Sequence, residues 1–237
     1  MEPSISKRLY IRWFPNPAGE PTSTLVLTSP SKRFVDLRFF LPSDSNASRI
    51  LSQLEWGFAG TSHVTPTHGE WTHDIDSRPD NDDHRNDKDE GDMFPDPNGD
   101  QNVSVERGRM WNAERGAVGE YEEGWLEVAV QGRGRCVVLE IGKGDQSAGV
   151  GDSRATGMIV RVGQYCQGIV KIGEQTLVER WECVEGELGG NWKLTGKGSV
   201  GSEGALHLPC GAACDLEGDI RQGDVLHDGW VVTEIYA

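Results

Sequence analysis

The chain has 237 residues, 31 of them glycines spread along its whole length, and a formal net charge of −15. This length allows one large β-domain or two small ones. The acidic balance argues against a nucleic-acid partner, because binding to a phosphate backbone draws on clustered lysine and arginine. No segment approaches the roughly 20 apolar residues of a membrane span, so no membrane partner is predicted.

Residues 1–4 lead directly into charged, strand-like sequence, without the apolar core of a signal peptide. We therefore expect a cytoplasmic protein. Its cysteines are odd in number and all lie in the second half of the chain. Without an export signal they are expected to be reduced thiols.

Short β-patterned runs separated by glycine-rich turns follow one another along the sequence, and long helical patterns are missing. In the first half the predicted strands are 10–14, 24–28, 34–40, 54–59, 70–75, 103–111 and 121–130. In the second half they are 136–141, 156–162, 166–172, 175–183, 192–198, 205–208 and 224–235. This spacing predicts an all-β protein, with a single short helical turn near 47–53.

The most informative stretch is 22–40, in which two β-patterned runs flank a Ser-Pro-Ser-Lys turn. Side chains alternate between the two faces of a strand. In the second run one face carries Phe34, Asp36, Arg38 and Phe40, and the other carries Val35, Leu37 and Phe39. Neither face is simply core or surface, which is typical of a barrel or sandwich wall around an occupied interior. The charged pair then belongs either to a structural network or to the polar edge of a cavity.

The two halves of the chain resemble each other loosely in pattern and tryptophan placement, which favours two similar barrels over one large sandwich. We predict an N-terminal barrel at 1–131 and a C-terminal barrel at 136–237, joined by the Gly-Arg-Gly-Arg linker at 132–135. An acidic segment at about 76–101 is predicted to be a mobile loop within the first barrel. Its spacing does not fit an EF-hand calcium loop.

Signals for a metal or a cofactor are weak. Four histidines lie near many carboxylates, but their spacing fits no standard ligand pattern, and Cys210 and Cys214 have no second pair to complete a zinc site. The glycine-rich stretch 142–149 lacks the ending of a phosphate-binding loop, so a hairpin is expected there. We predict no metal and no cofactor. His73, which alternates with Trp71 and Ile75, is the histidine expected to face a cavity, unless it is purely structural.

Three strands place aromatic and charged side chains on a common face. These sets are Leu54, Trp56 and Phe58; Arg107, Arg109 and Trp111; and Tyr121, Glu123 and Trp125. If these faces point inward, the first barrel holds an aromatic pocket with charged groups that bind the polar part of an apolar ligand. The alternative is an Arg–Glu network that only fixes strand register, because buried charges need partners.

Several motifs resemble those of the fungal HRI-type family, which is named for interaction with a yeast casein kinase 1 homologue. They are SKRLYIRW at 6–13, EPTSTLVLTS at 20–29, RFVDLR at 33–38, LEWGFAGTS at 54–62, DEGDMFP at 89–95, the region 109–123, GQYCQGI at 163–169 and ERWE at 179–182. The resemblance covers nearly the whole chain in order. It implies two consecutive lipocalin-like antiparallel β-barrels with little helix.

The resemblance also implies two kinds of function. Housekeeping relatives of cytoplasm and nucleus have no known enzymatic activity, whereas relatives from cytochalasan pathways are assigned as Diels-Alderases. A Diels-Alderase would convert a linear polyketide–amino acid pyrrolinone by intramolecular [4+2] cycloaddition, without a cofactor. Divergence from the housekeeping pattern around Trp111 favours a specialised, ligand-handling member; the alternative is drift in a loop. The alternatives are a non-catalytic protein that binds the kinase homologue and a small-molecule carrier.

Strand alternation supplies the candidate site for this reaction. The expected catalytic residues are Arg109, Tyr121 and Glu123, and the expected substrate-binding residues are Arg38, Trp56, His73, Trp111 and Trp125. The partner they imply is a hydrophobic small molecule held in a barrel pocket.

Overall fold

The structure, a computed structural model, describes residues 2–42, 50–79, 88–112, 114–131, 135–142, 155–184, 191–201, 207–215 and 220–236. Its strands are β1 Ser4–Trp13, β2 Thr22–Thr28, β3 Arg33–Phe40, β4 Leu54–Val64, β5 His68–Trp71, β6 Ile75–Asp76, β7 Asp89–Pro95, β8 Val103–Asn112, β9 Ala117–Val128, β10 Cys136–Ile141, β11 Thr156–Val162, β12 Tyr165–Ile172, β13 Gln175–Val184, β14 Asn191–Val200 and β15 Val231–Tyr236. A one-turn helix, α1, spans Cys210–Cys214, and a 3₁₀ turn spans His227–Gly229.

The first nine strands form one antiparallel sheet that closes on itself. Its order is β3-β2-β1-β9-β8-β7-β5-β4, and a further pairing of β3 with β4 completes an eight-stranded barrel. The short strand β6 pairs with β4 at the barrel wall. Closure leaves the barrel strands without a free edge. The predicted all-β class is confirmed.

The second half of the chain forms a six-stranded antiparallel sheet, in the order β14-β13-β12-β11-β10-β15. Five of these strands are consecutive hairpin neighbours, and β15 returns to pair with β10. The short helix α1 packs against β11 and β12. In the described part of the chain, β14 and β15 are the two edges of this sheet.

The main apolar core lies between the outer wall of the barrel and the second sheet. On the barrel side it contains Val35, Leu37 and Phe39, the odd-numbered side chains of β3, each fully buried. Ile169 and Val178 belong to the same cluster on the second sheet. One face of β3 is therefore occupied by contact between the sheets, which leaves the other face to line the barrel interior.

Polar side chains of the second sheet also bind the backbone of the barrel wall. Arg180 on β13 donates hydrogen bonds to the carbonyl oxygens of Leu37, at 2.5 Å, and Ser23, at 3.1 Å. Burial lowers the pKa of Arg180 to about 10. Gln167 on β12 donates from Nε2 to the carbonyl oxygens of Leu25 and Val35, at 2.9 and 3.0 Å. The two sheets are thus joined by hydrogen bonds as well as by apolar contact.

Several predicted segments differ from the structure, among them the predicted strand 224–235, in which only 231–235 is a strand. The acidic segment expected to be a mobile loop at about 76–101 contains β7, in which residues 89–92 pair with β5 and residues 91–95 pair with β8, so that β7 completes the barrel wall. Near the C-terminus, residues 207–208 of the predicted strand 205–208 are not in a strand, and the helix α1 follows them.

Other predictions fall wholly or partly outside the described residues. These are the linker at 132–135, the glycine-rich stretch 142–149, the helical turn near 47–53, and residues 80–87 of the acidic segment. In the described part of the turn, Leu51 forms an isolated bridge with Gly196. Within the described ranges no helix is long and apolar enough to cross a bilayer.

Candidate functional site

A cavity of about 290 Å³ occupies the interior of the barrel. Alternation along the strands decides which side chains reach it, because every second residue of a barrel strand points inward. On β3 these are Phe34, Asp36 and Arg38, and on β9 they are Tyr121, Glu123 and Trp125. The cavity lining also includes Ser4, Ser6, Val26, Thr28, Lys32, Trp56, Phe58, Ser62, Val64, Trp71, Asp89, Met93, Ser104, Glu106 and Met110.

One side of the cavity is an aromatic wall made by β3 and β4. Trp56 and Phe58 lie with ring centroids 4.3 Å apart, and Phe34 meets Phe58 edge to face at 5.8 Å. All three side chains are at least 96 % buried. Rings in these arrangements form a rigid apolar surface, which suits the flat or extended hydrocarbon part of a ligand.

A buried cluster of charged side chains lies beside this wall, with the Arg38 guanidinium 4.9 Å from the Trp56 ring centroid. Arg38 donates to Asp36 Oδ2 from Nε, at 3.1 Å, and from Nη2, at 2.9 Å, and its Nη1 lies 3.8 Å from Glu123 Oε1. The same Glu123 oxygen accepts a 2.6 Å hydrogen bond from Arg8. Burial opposes the charge of Arg38, but Asp36 and Glu123 outweigh burial and raise its pKa well above the usual value. The two guanidinium groups thus share buried carboxylates, and Arg8 also pairs with Glu20 at 2.9 Å.

Glu106 on β8 is a third buried carboxyl group in this cluster. Burial and the neighbouring charge of Glu123 raise its pKa to about 8, so that it is mostly protonated at neutral pH. Tyr121 Oη donates to Glu106 Oε1 at 2.6 Å, and Trp125 Nε1 donates to Oε2 at 3.1 Å. A neutral carboxyl group adds no further negative charge to the cluster, where another buried carboxylate would be strongly unfavourable.

Two glycines make room for these groups. A Cβ atom on Gly91 would lie 2.7 Å from Glu106 Cγ, and one on Gly108 would lie 2.6 Å from Tyr121 Oη. Neither position could hold a larger residue without displacing the polar group beside it. The glycines of β7 and β8 therefore shape the charged side of the cavity.

His73 lies behind the aromatic wall. Its ring centroid is 4.3 Å from that of Phe58, and its two nitrogens contact Asp76 Oδ2, at 3.2 Å, and Asp89 Oδ2, at 2.9 Å. Burial works against the charged imidazole, but the hydrogen bonds to the two aspartates outweigh burial and raise the pKa to about 9. His73 therefore holds Asp89, which does line the cavity, in place as a charged partner.

The structure brings five of the eight predicted site residues to the cavity lining: Arg38, Trp56, Tyr121, Glu123 and Trp125. His73 contacts this lining from behind. Arg109 and Trp111 are not part of the lining, because β8 turns its even-numbered residues Glu106 and Met110 inward and its odd-numbered residues outward. Arg109 is exposed to solvent and Trp111 is half-buried.

Strand alternation missed Glu106 because it shows which residues share a face but not which face is inside. The sequence pattern of β3 indicates a charged pair that includes Asp36, but it does not assign Asp36 to the site. The glycines of β7 and β8 are the sequence feature that indicates Glu106. A glycine inside a strand often marks a place where another group comes close to the backbone. Gly108 stands two residues from Glu106 on the same face, and Gly91 lies opposite Gly108 on β7.

Outside the cavity, the described residues include one group with the spacing of metal ligands, formed by His68, Glu70 and Glu90. Lys88 Nζ lies 3.1 Å from Glu70 Oε1 and 2.6 Å from Glu90 Oε2. A single lysine cation thus already pairs with both glutamates.

These observations define an all-β protein in which a closed antiparallel barrel, packed on a second sheet, encloses an aromatic cavity with buried charges. Residues 4–234 match the family described as Protein HRI1, and the chain belongs to this family. A crystal structure of the uncharacterized protein YLR301w from Saccharomyces cerevisiae is similar over 100 % of both chains, with a TM-score of 0.69 and 17 % sequence identity. No curated protein matches the chain significantly.

Proposed function

We propose that the barrel binds an apolar small molecule that carries a carbonyl group, and that this molecule undergoes an intramolecular [4+2] cycloaddition there without a cofactor. The substrate class is a linear polyketide–amino acid pyrrolinone of the kind that fungal cytochalasan pathways assemble. The observation that carries the proposal is the cavity itself, in which an aromatic wall lies beside a buried cluster of paired charges. We place the reaction in the cytoplasm.

The size and lining of the cavity support a small-molecule ligand. Its volume of about 290 Å³ is close to the lower end of the roughly 300–1,000 Å³ range of ligand sites, which are mostly apolar with a few placed polar groups. A cycloaddition needs no nucleophile. The protein contributes by holding diene and dienophile close to the reacting geometry, and the rigid rings of Trp56 and Phe58 provide a surface on which a folded chain is held.

Arg38 is the group best placed to polarise the carbonyl. Its Nε and Nη2 are used by Asp36, whereas Nη1 is 3.8 Å from its nearest carboxylate oxygen, on Glu123. Nη1 can therefore donate to a ligand oxygen, and a fixed donor aimed at developing negative charge lowers the barrier. Tyr121 and Glu123, expected from the sequence to be catalytic, have an indirect role in this proposal. Tyr121 positions Glu106, and Glu123 positions Arg8 and Arg38.

The test is conversion of a linear pyrrolinone precursor by the purified protein, with cycloadduct yield and diastereomer ratio measured against the protein-free reaction. We expect faster conversion and a changed ratio. Met110→Trp, which fills the cavity, should abolish both effects. Val118→Trp, at a position that is 51 % exposed on β9, is the matched control and should keep them.

An unchanged rate and product ratio with the wild-type protein would overturn the enzymatic proposal. In that case saturable quenching of tryptophan fluorescence by the precursor would identify a carrier, because Trp56, Trp71 and Trp125 all line the cavity.

A further inference from the structure

A groove lies at one end of the barrel, between the loop that joins β4 to β5 and the loop that joins β7 to β8. Two of the apolar residues in its lining, Val64 and Phe94, are each 41 % exposed. The groove is therefore an apolar surface in contact with water. Its apolar lining residues are Val64, Pro66, Met93, Phe94, Pro95 and Val103.

The groove is continuous with the barrel cavity, because Val64, Met93 and Ser104 line both. Val64 is the last residue of β4, whereas Trp56, beside the Arg38 guanidinium, lies near the start of the same strand. Residues 56 and 64 of an extended strand are about 26 Å apart along the chain. The groove thus begins at the end of β4 that is remote from Arg38.

Hydrogen bonds hold both loops beside the groove. In the first loop, Thr65 N donates to the carbonyl oxygen of His68 at 2.8 Å. In the second loop, the carboxylate of Asp96 accepts from the backbone N–H groups of Asn98 and Asp100, both at 3.1 Å. A preformed surface of this kind binds a ligand without the cost of ordering the loops.

The cavity alone is small for the ligand class proposed above. Its volume of about 290 Å³ lies at the lower end of the range for ligand sites, and a linear polyketide chain with an amino-acid head is larger than this space. The polar head of such a molecule is expected at Arg38, so its chain has to leave the cavity at another point.

We propose that the hydrocarbon chain of the ligand passes Met93 and lies in the groove, which makes the groove a second subsite for long, linear, apolar chains. The inference rests on the proposed binding function of the barrel. Met93 lines both subsites, and the flexible, unbranched side chain of a methionine adapts readily to a chain that passes it.

The experiment compares two unreactive probes with the same 3-acyl-pyrrolin-2-one head, one with a saturated hexanoyl chain and one with a saturated hexadecanoyl chain. Affinities are measured by quenching of tryptophan fluorescence, at concentrations at which the longer probe is monomeric. Complete burial of a CH₂ group raises affinity about fourfold. Since the longer chain is only partly buried in the groove, we expect it to bind at least about 10-fold more tightly.

Phe94→Asn tests the groove itself, because Phe94 lines the groove and not the cavity. The variant should weaken binding of the hexadecanoyl probe at least about fivefold and leave the affinity of the hexanoyl probe unchanged. Phe40→Asn is the matched control. Phe40 is 38 % exposed, lines neither subsite and ends β3 two residues after Arg38, so this variant should bind both probes as the wild-type protein does.

The outcomes are distinct. Equal affinities of the two probes for the wild-type protein would overturn the second subsite and leave the proposed binding function intact. An unchanged preference in Phe94→Asn, or an equal loss in Phe94→Asn and Phe40→Asn, would also overturn it, because the long chain would then lie elsewhere or adsorb to exposed apolar residues in general. Absence of binding by both probes would overturn the inference together with the proposed function.

Discussion

Arg180, on the second sheet, donates a 2.5 Å hydrogen bond to the carbonyl oxygen of Leu37, on the barrel strand β3. The two residues neighbouring Leu37 along β3 are Asp36 and Arg38, the charged pair of the cavity. The second sheet therefore holds the backbone from which both cavity groups project. Support of this kind fixes the geometry of a binding site more firmly than the site residues can alone.

Arg180→Met should destabilise the protein strongly. The change leaves the carbonyl oxygens of Leu37 and Ser23 and the Oε1 of Gln167 without this donor, and breaking such a buried network costs about 3 kcal/mol or more. Urea unfolding measures the loss.

The matched control for this change is Arg107→Met. The Arg107 side chain is 55 % exposed and pairs with Glu122, and exposed pairs of this kind contribute under about 1 kcal/mol. Similar losses in both variants would show that Arg180 does not connect the sheets energetically.

Stability should fall as the pH rises from about 6.5 to 9. His73 has a folded pKa of about 9 against an ordinary value of 6.5, and Glu106 has about 8 against 4.5. The native state keeps protons that the unfolded chain releases, so its stability decreases by about 1.4 kcal/mol per pH unit for each such group between its unfolded and its folded pKa. Carboxylates with a lowered pKa, such as Asp76, change the stability only at more acidic pH.

Urea midpoints at pH 6.5, 7.5 and 9 test this dependence. Glu106→Gln, which is neutral at every pH, should reduce the slope between pH 6.5 and 8 and leave the loss caused by His73. A midpoint that rises over this range would contradict the assignment of both groups.

Tyr121→Phe should raise the pKa of Glu106 further. The Tyr121 hydroxyl donates to the carboxyl group at 2.6 Å and favours its ionised form. Because Trp125 Nε1 bonds to the same carboxyl group at 3.1 Å, ionisation of Glu106 should change tryptophan fluorescence. We expect a midpoint near pH 8 in the wild-type protein and a higher midpoint in the variant.

Trp125→Phe identifies the source of that signal. This variant should lose the fluorescence step near pH 8 while retaining any step near pH 9 that comes from His73 beside Trp56. An unchanged midpoint in Tyr121→Phe would mean that the hydroxyl does not favour the ionised carboxyl group.

Gly108→Ala should cost about 1–3 kcal/mol, in the range for overpacking a filled site. The new methyl group would lie 2.6 Å from Tyr121 Oη and 2.8 Å from the carbonyl oxygen of Glu90. Gly119→Ala, on the neighbouring strand β9, is the control, because its nearest contact is Trp13 at 3.3 Å. Chemical denaturation should give a lower midpoint for Gly108→Ala than for Gly119→Ala. Equal midpoints would disprove the close contact between Gly108 and Tyr121.

The sequence allowed the class of the fold and part of the site to be predicted, for identifiable reasons. The presence of apolar residues on both faces of β3 is a local property of the chain, and it correctly indicated a strand that is not simply half core and half surface. The inward direction of β8 is not local, because it depends on register with β7 and β9. That is why Arg109 was preferred to Glu106. Strand β7 was missed because Asp89 and Glu90 suggest a solvated loop, although pairing with β5 and β8 satisfies its backbone.

Strand β3 has six consecutive buried residues, from Phe34 to Phe39. An ordinary surface strand accepts mutations at alternate positions, because one of its faces meets water. β3 has no such face: one side is packed on the second sheet and the other borders the cavity. Random mutagenesis of this segment should therefore find an unbroken run of intolerant positions, and new ligand specificities are more accessible through changes on β5, β7 and β8 than on β3.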